Sequence, residues 1–171
     1  MANLARAGER LGTNSFACVN QYSTWAEPVP PSFSLTLVSC ETSVAMAADR
    51  SPVWPKGYVG SITHTDDLLG VAVARRKDFR SIGIDAEAII QPETTVEIDE
   101  LCMNERERSL RDSFEIDHQM FSSLCFSAKE SFFKCLYPLT GVWFDFQDAE
   151  IAGFDANLQV LRMRFALPSC G

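Results

Sequence analysis

Alternating apolar and polar residues predict three short strands near the middle of the chain. Residues 59–63 and 69–75 each show a strand pattern, and the polar residues 65–67 between them are typical of a turn. Residues 81–86 form an Ile-Gly-Ile run that ends in acidic side chains. A short apolar run of this kind is typical of a strand in the core.

The strongest helical pattern covers residues 117–136. Its apolar and small residues recur at helical spacing, and Pro138 together with Gly141 is expected to end the helix. The residues predicted to line its packed face are Met120, Leu124, Ala128, Ser131 and Cys135. A shorter helix is predicted over 105–111, with Asn104 as its N-cap.

The remaining segments complete a mixed α+β pattern. Residues 150–154 and 159–165 predict a hairpin, because apolar residues alternate with two arginines in the second segment. A polar loop is predicted over 92–99. The N-terminal part shows three short patterns, which are helix-like over 4–11, strand-like over 34–39 and helix-like over 42–48. The prediction is an α+β fold with an N-terminal segment, 1–48, and a core, 49–171.

Composition and charge exclude several classes of protein. The chain has 171 residues, of which 46% are apolar and 22% charged, as in an ordinary globular domain. A net charge of −8 argues against nucleic-acid binding but is compatible with a local basic pocket for a small anion. No apolar run reaches the roughly 20 residues of a membrane-spanning helix, so no membrane insertion is expected. The six cysteines form no Cys-x-x-Cys pair, which indicates reduced thiols and a cytoplasmic location, with Cys125 and Cys135 in the core.

Two acidic residues at the end of the third predicted strand are candidate metal ligands. Asp85 and Glu87 are two residues apart, so the period of a strand places both carboxylates on the same face. Two such charges repel each other unless a cation lies between them, and a hard divalent ion suits carboxylate oxygens. The alternative is a solvated strand end without a ligand.

A glutamate and a lysine on the long predicted helix are the second pair of candidate site residues. Glu130 and Lys134 are four residues apart and therefore share a helix face. The same spacing suits an ordinary surface ion pair. However, Phe126, Phe132 and Phe133 surround the two residues in sequence, and a solvated face carries fewer aromatic side chains.

Several basic side chains could bind a phosphate-rich ligand in this otherwise acidic chain. The candidates are Arg50, Lys56, His64, Lys129 and Lys134. A lone histidine after a strand, such as His64, is more often a structural hydrogen-bonding residue than a ligand contact. Trp54 is most simply a core anchor, with a stacking wall as the alternative. Three carboxylates with several cations predict a site for magnesium and a polyphosphate, where catalysis consists mainly of positioning and charge neutralisation.

Three segments, in order along the chain, resemble the signatures of 4′-phosphopantetheinyl transferases. They read WPKGYVGSITH at 54–64, IGIDAE at 82–87 and FSAKESFFK at 126–134. YPLTG at 137–141 also fits the branch typified by the enterobactin-synthase component and related to the surfactin-activating enzyme. The resemblance covers roughly residues 49–165. Each segment alone is a weak signal, and the three together are specific.

The resemblance implies a reaction and a fold. Members of this family transfer the 4′-phosphopantetheine arm of coenzyme A to a serine of an acyl, aryl or peptidyl carrier protein. The reaction depends on Mg²⁺, releases 3′,5′-ADP and serves siderophore or other secondary-metabolite biosynthesis. The implied fold has two pseudo-symmetric α+β halves, of which the N-terminal half is shortened here, and the implied state is a monomer.

The resemblance also assigns roles to the candidate residues. Asp85, Glu87 and Glu130 resemble the magnesium ligands, and Glu130 also resembles a base that helps deprotonate the carrier serine. Lys129 and Lys134 would face the pyrophosphate, with Lys134 acting in catalysis.

Coenzyme A and the carrier protein would contact further residues. The resemblance places Thr63 and His64 at the coenzyme A phosphates and Arg50 near the nucleotide, with Lys56 as an additional coenzyme A contact. Residues 88–96 are the predicted part of the carrier-protein surface.

Two other functions remain compatible with the sequence. One is a catalytically impaired remnant that binds a carrier protein without transfer, because the basic N-terminal helix of this branch has no counterpart in residues 40–49. The other is a different metal-dependent phosphate enzyme such as a nuclease, since two acids and a lysine also serve there.

Overall fold

The structure, a computed structural model, describes residues 3–5, 16–20, 44–113, 116–155 and 160–165. In chain order its elements are β1 (Asn3–Ala5), β2 (Phe16–Asn20), β3 (Ala45–Met46), β4 (Pro52–Val53), β5 (Tyr58–His64), β6 (Leu69–Arg75), β7 (Ser81–Asp85), α1 (Pro92–Cys102), α2 (Glu105–Arg111), α3 (His118–Thr140), a 3₁₀ turn (Phe146–Asp148), β8 (Ala149–Asp155) and β9 (Val160–Phe165). The predicted α+β class is confirmed.

Strand β7 lies at the centre of the described fold. All five of its residues are buried. It pairs in parallel with β2, which pairs antiparallel with β1, and both the β5–β6 hairpin and α3 pack against it. Ile82 and Ile84 form a core cluster with Val59 of β5 and Ala72 of β6. The end of β7 is therefore enclosed by a helix and a hairpin.

Side chains of β5 hold β7 in place. The amide of Ile84 donates to Oγ of Ser61 at 3.1 Å, and the amide of Ala86 donates to Oγ1 of Thr63 at 3.0 Å. Because side chains two residues apart on a strand point to one face, the Ser-Ile-Thr segment can supply both hydroxyls. These bonds satisfy two backbone donors with side-chain hydroxyls, on either side of Asp85, and they fix its position.

Gly83 allows α3 to approach β7 closely. A Cβ atom at this position would lie 2.7 Å from the amide nitrogen of Cys135 and 2.9 Å from its Cβ, and still closer to the carbonyl oxygen of Ser131. Backbone atoms of a packed helix cannot move aside as a side chain can. The glycine therefore sets the distance between the strand that carries Asp85 and the helix that carries Lys134.

Replacing Gly83 with alanine is expected to destabilise the fold by at least about 1–3 kcal/mol, the usual cost of overpacking a core. Urea unfolding followed by circular dichroism would measure this change. Gly153→Ala is the matched control, because a Cβ there would meet nothing within 4 Å, and its effect should stay within about 0.5 kcal/mol. Equal stability of the two variants would contradict the close approach.

A second core cluster lies where α3 meets α1 and β8. Its buried apolar members are Cys102, Met103, Phe121, Cys125, Ala128 and Ile151. Cys125 and Cys135 are buried thiols, as predicted. Burial raises the pKa of the Cys102 thiol to about 12, so this side chain packs as a neutral group. On α3, Ala128, Ser131 and Cys135 are buried as predicted, whereas Met120 and Leu124 are half-buried.

Most of the strands and the short helix confirm the sequence patterns. β5, β6 and β7 match the three central strands, and β5 pairs with β6 from Tyr58↔Arg75 to His64↔Leu69. Asn104 caps α2 by accepting hydrogen bonds from the amides of Arg106 and Glu107. β8 and β9 form the predicted hairpin, with an irregularity between Ile151 and Gly153.

The polar loop predicted over 92–99 is wrong, because these residues begin α1. The helix starts with Pro92, and Thr95, Asp99 and Cys102 are its buried residues. The buried face includes Asp99, whose carboxylate accepts a hydrogen bond from Oγ of Ser122 and lies 2.5 Å from Nε2 of His118. A helix that buries polar side chains in this way lacks the apolar stripe by which sequence patterns are recognised.

Three further expectations need correction. The predicted helix over 42–48 is wrong because Ala45–Met46 pair with Pro52–Val53 as strands. Likewise, Asn3–Ala5 at the start of the predicted helix over 4–11 pair with β2, and residues 6–11 lie outside the described residues. Pairing overrides weak local propensity in both places. Residues 34–39 also lie outside the described part of the chain.

Helix α3 continues past the position where it was predicted to end. Pro138 lies inside the helix, and Gly141 forms the C-cap with a left-handed φ of 64°. Pro138 lies in the last turn of the helix, where it has no amide to donate four residues back and only two helical residues follow it. No helix in the described residues is long and apolar enough to cross a membrane.

Candidate active site

Asp85 ends β7 with a buried carboxylate that has one satisfied and one unsatisfied oxygen. Oδ1 accepts hydrogen bonds from Nζ of Lys134 at 2.5 Å and from Oγ1 of Thr63 at 3.2 Å. Oδ2 is buried and has no hydrogen-bond partner among the described residues. Because an unsatisfied buried carboxylate oxygen is costly, this atom marks a position where a cation or donor would bind.

Two glutamates lie close enough to interact electrostatically with Asp85. Burial raises the pKa of Glu87, and the charge of Asp85 raises it further. Burial also raises the pKa of Glu130, while Lys134 opposes this and Asp85 adds to it. A raised carboxyl pKa means that each glutamate binds a proton more readily than an exposed one does. The three carboxylates therefore form one coupled cluster around Lys134.

The three carboxylates do not form a preformed metal cage. Within the described residues, no group of three or more His, Cys, Asp and Glu side chains has the arrangement of a metal site. Magnesium is usually held by one or two carboxylates together with water and substrate phosphates, so it does not require a preformed cage. The unpartnered oxygen of Asp85 and the all-oxygen donor set are compatible with this ion.

A cleft of about 700 Å³ opens beside Lys134. Its volume is within the range of ordinary ligand-binding clefts. The basic and histidine side chains that line it are Arg50, His64, Arg76, Arg80 and Lys134, whereas Asp49 is the acidic one. A surface with this charge attracts anions locally even though the whole chain carries a net charge of −8.

Aromatic side chains form another part of the cleft lining. Trp54, Phe133, Tyr137 and Trp143 contribute to it, and Trp143 packs edge-on against Phe133 with 4.8 Å between ring centroids. Trp54 is half-buried, and its ring lies against Gly60, where an added Cβ would come within 2.7 Å of it. The ring therefore both packs on β5 and faces the cleft.

The turn that carries Arg50 is fixed to α3. Oδ2 of Asp49 accepts a hydrogen bond from the hydroxyl of Tyr137 at 3.1 Å, and Oδ1 accepts from the amide and hydroxyl of Ser51. Arg50 itself has a φ of 68°, which is uncommon for a residue with a side chain. Strain of this kind persists where neighbouring contacts determine the backbone, as they do here.

Thr63 corrects the sequence analysis, which placed it at the coenzyme A phosphates. Its side chain is buried, and its hydroxyl donates to Asp85 and accepts from the amide of Ala86. It is not among the residues that line the cleft. Thr63 therefore orients Asp85 instead of facing a ligand.

Lys129 is a second correction, because it points away from the cleft. Its side chain is 1% exposed, and its ammonium donates to Oε2 of Glu107 and to the carbonyl oxygens of Cys102 and Phe146. All three N–H groups of the ammonium are thereby used. The geometry gives this lysine a structural role in place of the predicted contact with a pyrophosphate.

Lys56 is the remaining predicted coenzyme A contact, and its role stays a prediction. It is exposed in the turn before β5 and lies outside the residues that line the cleft. Arg50, His64 and Lys134 do line the cleft, as described above.

Comparison with protein families agrees with this arrangement. Residues 81–169 match the model of the 4′-phosphopantetheinyl transferase superfamily, and residues 34–74 match that of the 4′-phosphopantetheinyl transferase N-terminal domain. The chain belongs to the 4′-phosphopantetheinyl transferase superfamily. The first match contains Asp85, Glu87, Glu130 and Lys134, and the second contains Arg50 and His64 of the cleft.

Individual relatives carry names from the same superfamily. The chain is 43% identical over 122 residues to 4′-phosphopantetheinyl transferase Svp of Streptomyces mobaraensis, covering 69% of this chain and 48% of that protein. It is 38% identical over 104 residues to 4′-phosphopantetheinyl transferase Npt of Nocardia iowensis, covering 59% and 44%. It is 32% identical over 101 residues to enterobactin synthase component D of Salmonella typhimurium, covering 59% and 42%. The chain thus spans about half the length of the curated relatives it matches.

The cleft of this superfamily member contains two arginines that the sequence analysis missed. Arg76 and Arg80 lie between β6 and β7 and line the cleft beside His64. The signal was available, because Arg75, Arg76, Lys77 and Arg80 form a dense basic cluster in an acidic chain. Glu107 was also missed as the buried partner of Lys129, and sequence spacing gives no indication of a pair 22 residues apart.

Proposed function

We propose that this chain transfers the 4′-phosphopantetheine arm of coenzyme A to a serine of an acyl, aryl or peptidyl carrier protein. The carrying observation is the contact of Lys134 with the buried carboxylate of Asp85, which interacts electrostatically with Glu87 and Glu130, beside a basic cleft. Membership of the superfamily favours this reaction over nucleic-acid cleavage.

Coenzyme A is the proposed ligand of the cleft. Its phosphates would be bound by Arg50, His64, Arg76 and Arg80, since guanidinium and imidazolium groups donate strong hydrogen bonds to phosphate oxygens. The aromatic lining, including Trp54, supplies flat apolar surface for the uncharged parts of the molecule. A volume of about 700 Å³ suits a ligand of this size class.

Magnesium is the proposed metal, held by Asp85 together with Glu87 and Glu130. The unpartnered Oδ2 of Asp85 and the oxygen-only donor set support this assignment. When bound, the ion would neutralise charge on the pyrophosphate.

Lys134 and Glu130 would act on the leaving oxygen and on the attacking serine oxygen, respectively. The serine oxygen forms a bond to the pantetheine-linked phosphorus, and the bond from that phosphorus to the bridging oxygen breaks. Lys134 is positioned to stabilise negative charge on the departing phosphate of 3′,5′-ADP. Glu130, with its raised pKa, is suited to accept the proton of the serine hydroxyl directly or through a water.

A carrier protein is the proposed partner, and residues 88–96 remain the proposed part of its docking surface. Ile89 is 40% exposed and Val96 is 60% exposed, so this segment offers apolar area to a partner. The proposal includes the monomeric state, the cytoplasmic location and the siderophore or secondary-metabolite pathways predicted from the sequence.

Intact-mass spectrometry of an apo carrier protein tests the proposed function. The carrier is incubated with this chain, coenzyme A and Mg²⁺, and we expect a gain of one phosphopantetheine. Removal of the metal with EDTA should abolish the gain, and excess Mg²⁺ should restore it. No gain by a folded preparation with acyl, aryl and peptidyl carriers would contradict transfer, and carrier binding without transfer would support the impaired remnant.

A further inference from the structure

Lys134 contacts the acidic side chain of Asp85 and also lines the basic cleft. Its ammonium donates to Oδ1 of Asp85 at 2.5 Å, where the carboxylate is 3% exposed. Its side chain is 29% exposed and also lines the basic cleft. One flexible lysine therefore contacts the carboxylate at the end of β7 and can also reach a ligand in the cleft.

The contact with Asp85 opposes a divalent ion at the same carboxylate. Any dication bound to Asp85 shares that group with a positive charge that is already within hydrogen-bonding distance of it. Like charges repel more strongly in a partly buried site than in water, because the effective dielectric constant is lower. Metal binding therefore requires either that this repulsion be overcome or that the ammonium move away.

A phosphate-rich ligand in the cleft changes this balance. Its oxygens would accept hydrogen bonds from Lys134 and offset its charge. The remaining basic side chains of the cleft would draw such a ligand to the same place. Once the ammonium is paired with the ligand, its opposition to the metal is reduced.

We propose that Lys134 couples the two binding events, keeping divalent-metal binding at Asp85 weak until a pyrophosphate group occupies the cleft. The inference rests on the proposed function and adds to it a role for Lys134 in binding, besides its role in charge stabilisation. Because coupling between two sites is reciprocal, the metal also strengthens binding of the pyrophosphate.

Titration with Mn²⁺, followed by electron paramagnetic resonance of the free ion, tests the inference without any transfer reaction. Lys134→Met removes the charge and retains an unbranched side chain, so the variant should bind Mn²⁺ about tenfold more tightly than the wild-type chain. Lys134→Gln should also increase the affinity for Mn²⁺. Thermal unfolding shows whether both variants are folded. Lys77→Met is the matched control, because it removes one charge from an exposed lysine outside the cleft lining.

Two further titrations test whether the gain in Mn²⁺ affinity arises at Asp85 and whether it is coupled to ligand binding in the cleft. Adding Asp85→Asn to Lys134→Met should remove the gain in Mn²⁺ affinity. Adding coenzyme A should tighten Mn²⁺ binding more in the wild-type chain than in Lys134→Met, after correction for Mn²⁺ bound by coenzyme A alone.

Several results would overturn the inference. These are unchanged or weaker Mn²⁺ binding by folded Lys134→Met, an equal gain in Lys77→Met, or equal tightening by coenzyme A in both proteins. The carrier-mass assay on the wild-type chain decides the proposed function separately. Transfer with unchanged Mn²⁺ affinities would refute only the coupling, and tighter Mn²⁺ binding without transfer would refute only the proposed function.

Discussion

Asp85→Asn is expected to reduce transfer of phosphopantetheine to a carrier protein by on the order of a thousandfold, the scale of losing a principal electrostatic contact in a transition state. Asparagine keeps the shape of the side chain and an oxygen that can accept from Thr63, but it removes the charge that pairs with Lys134. The expected loss is in the turnover rate with coenzyme A and Mg²⁺ in excess. Initial rates from intact-mass spectrometry would measure it.

The control for this variant is Asp67→Asn, in the exposed turn between β5 and β6. It removes the same charge from a position outside the cleft, and its transfer rate should equal that of the unmodified chain. Thermal unfolding distinguishes a structural role of Asp85 from a role in the transfer reaction. A fall in stability that accounts for the lost activity would show that Asp85 is structural, and full transfer by Asp85→Asn would remove it from the proposed site.

The sequence predicted that the carboxylates at the end of the third strand and the Glu130–Lys134 face of the long helix contribute to one site. In the structure α3 packs on the buried strand β7, and Lys134 contacts Asp85. The charge of Asp85 also raises the pKa of Glu130, so these two carboxylates interact. What the patterns could not supply is the hydroxyl of Thr63 as a support for Asp85, because that bond depends on how β5 packs across β7.

The sequence patterns did not predict the surroundings of Lys129 or the existence of helix α1, and both have the same physical cause. Lys129 and Lys134 are five positions apart on α3 and so differ by about 140° in direction, and Lys129 reaches Glu107 whereas Lys134 reaches Asp85. Helix α1 was taken for a loop because its buried face includes Asp99, which Ser122 and His118 contact from α3. In both places a buried polar side chain has partners that are distant in sequence, and a sequence pattern alone does not show such partners.

The buried pair of Lys129 and Glu107 joins five elements of the fold: α1, α2, α3, the 3₁₀ turn and β8. Both side chains are almost fully buried, with 1% and 0% exposure, and Nζ lies 2.8 Å from Oε2. Lys129 also donates to carbonyl oxygens at the end of α1 and at the 3₁₀ turn. Glu107 in turn accepts from the amides of Asn104 and Ile151, at 3.0 and 2.7 Å. Removing either charge leaves the other buried without its partner.

Lys129→Met is therefore expected to lower the free energy of unfolding by about 3–5 kcal/mol, the usual cost of breaking a buried ion pair from one side. Glu107→Gln should also be destabilising, and the double variant should lose less than the sum of the two single losses because the charges are removed together. Urea unfolding of the two single variants and the double variant, monitored by circular dichroism, completes this cycle.

Lys134→Met provides the contrast, since its side chain is 29% exposed, against 1% for Lys129, and its loss should cost less stability than that of Lys129 even though it leaves the buried Asp85 without its charged partner. The two substitutions on α3 should thus have different effects: loss of Lys129 should lower stability, and loss of Lys134 should lower transfer. If Lys129→Met unfolds at the same urea concentration as the unmodified chain yet loses transfer, the buried pair is not the main role of Lys129. A contact with the pyrophosphate would then be the better explanation.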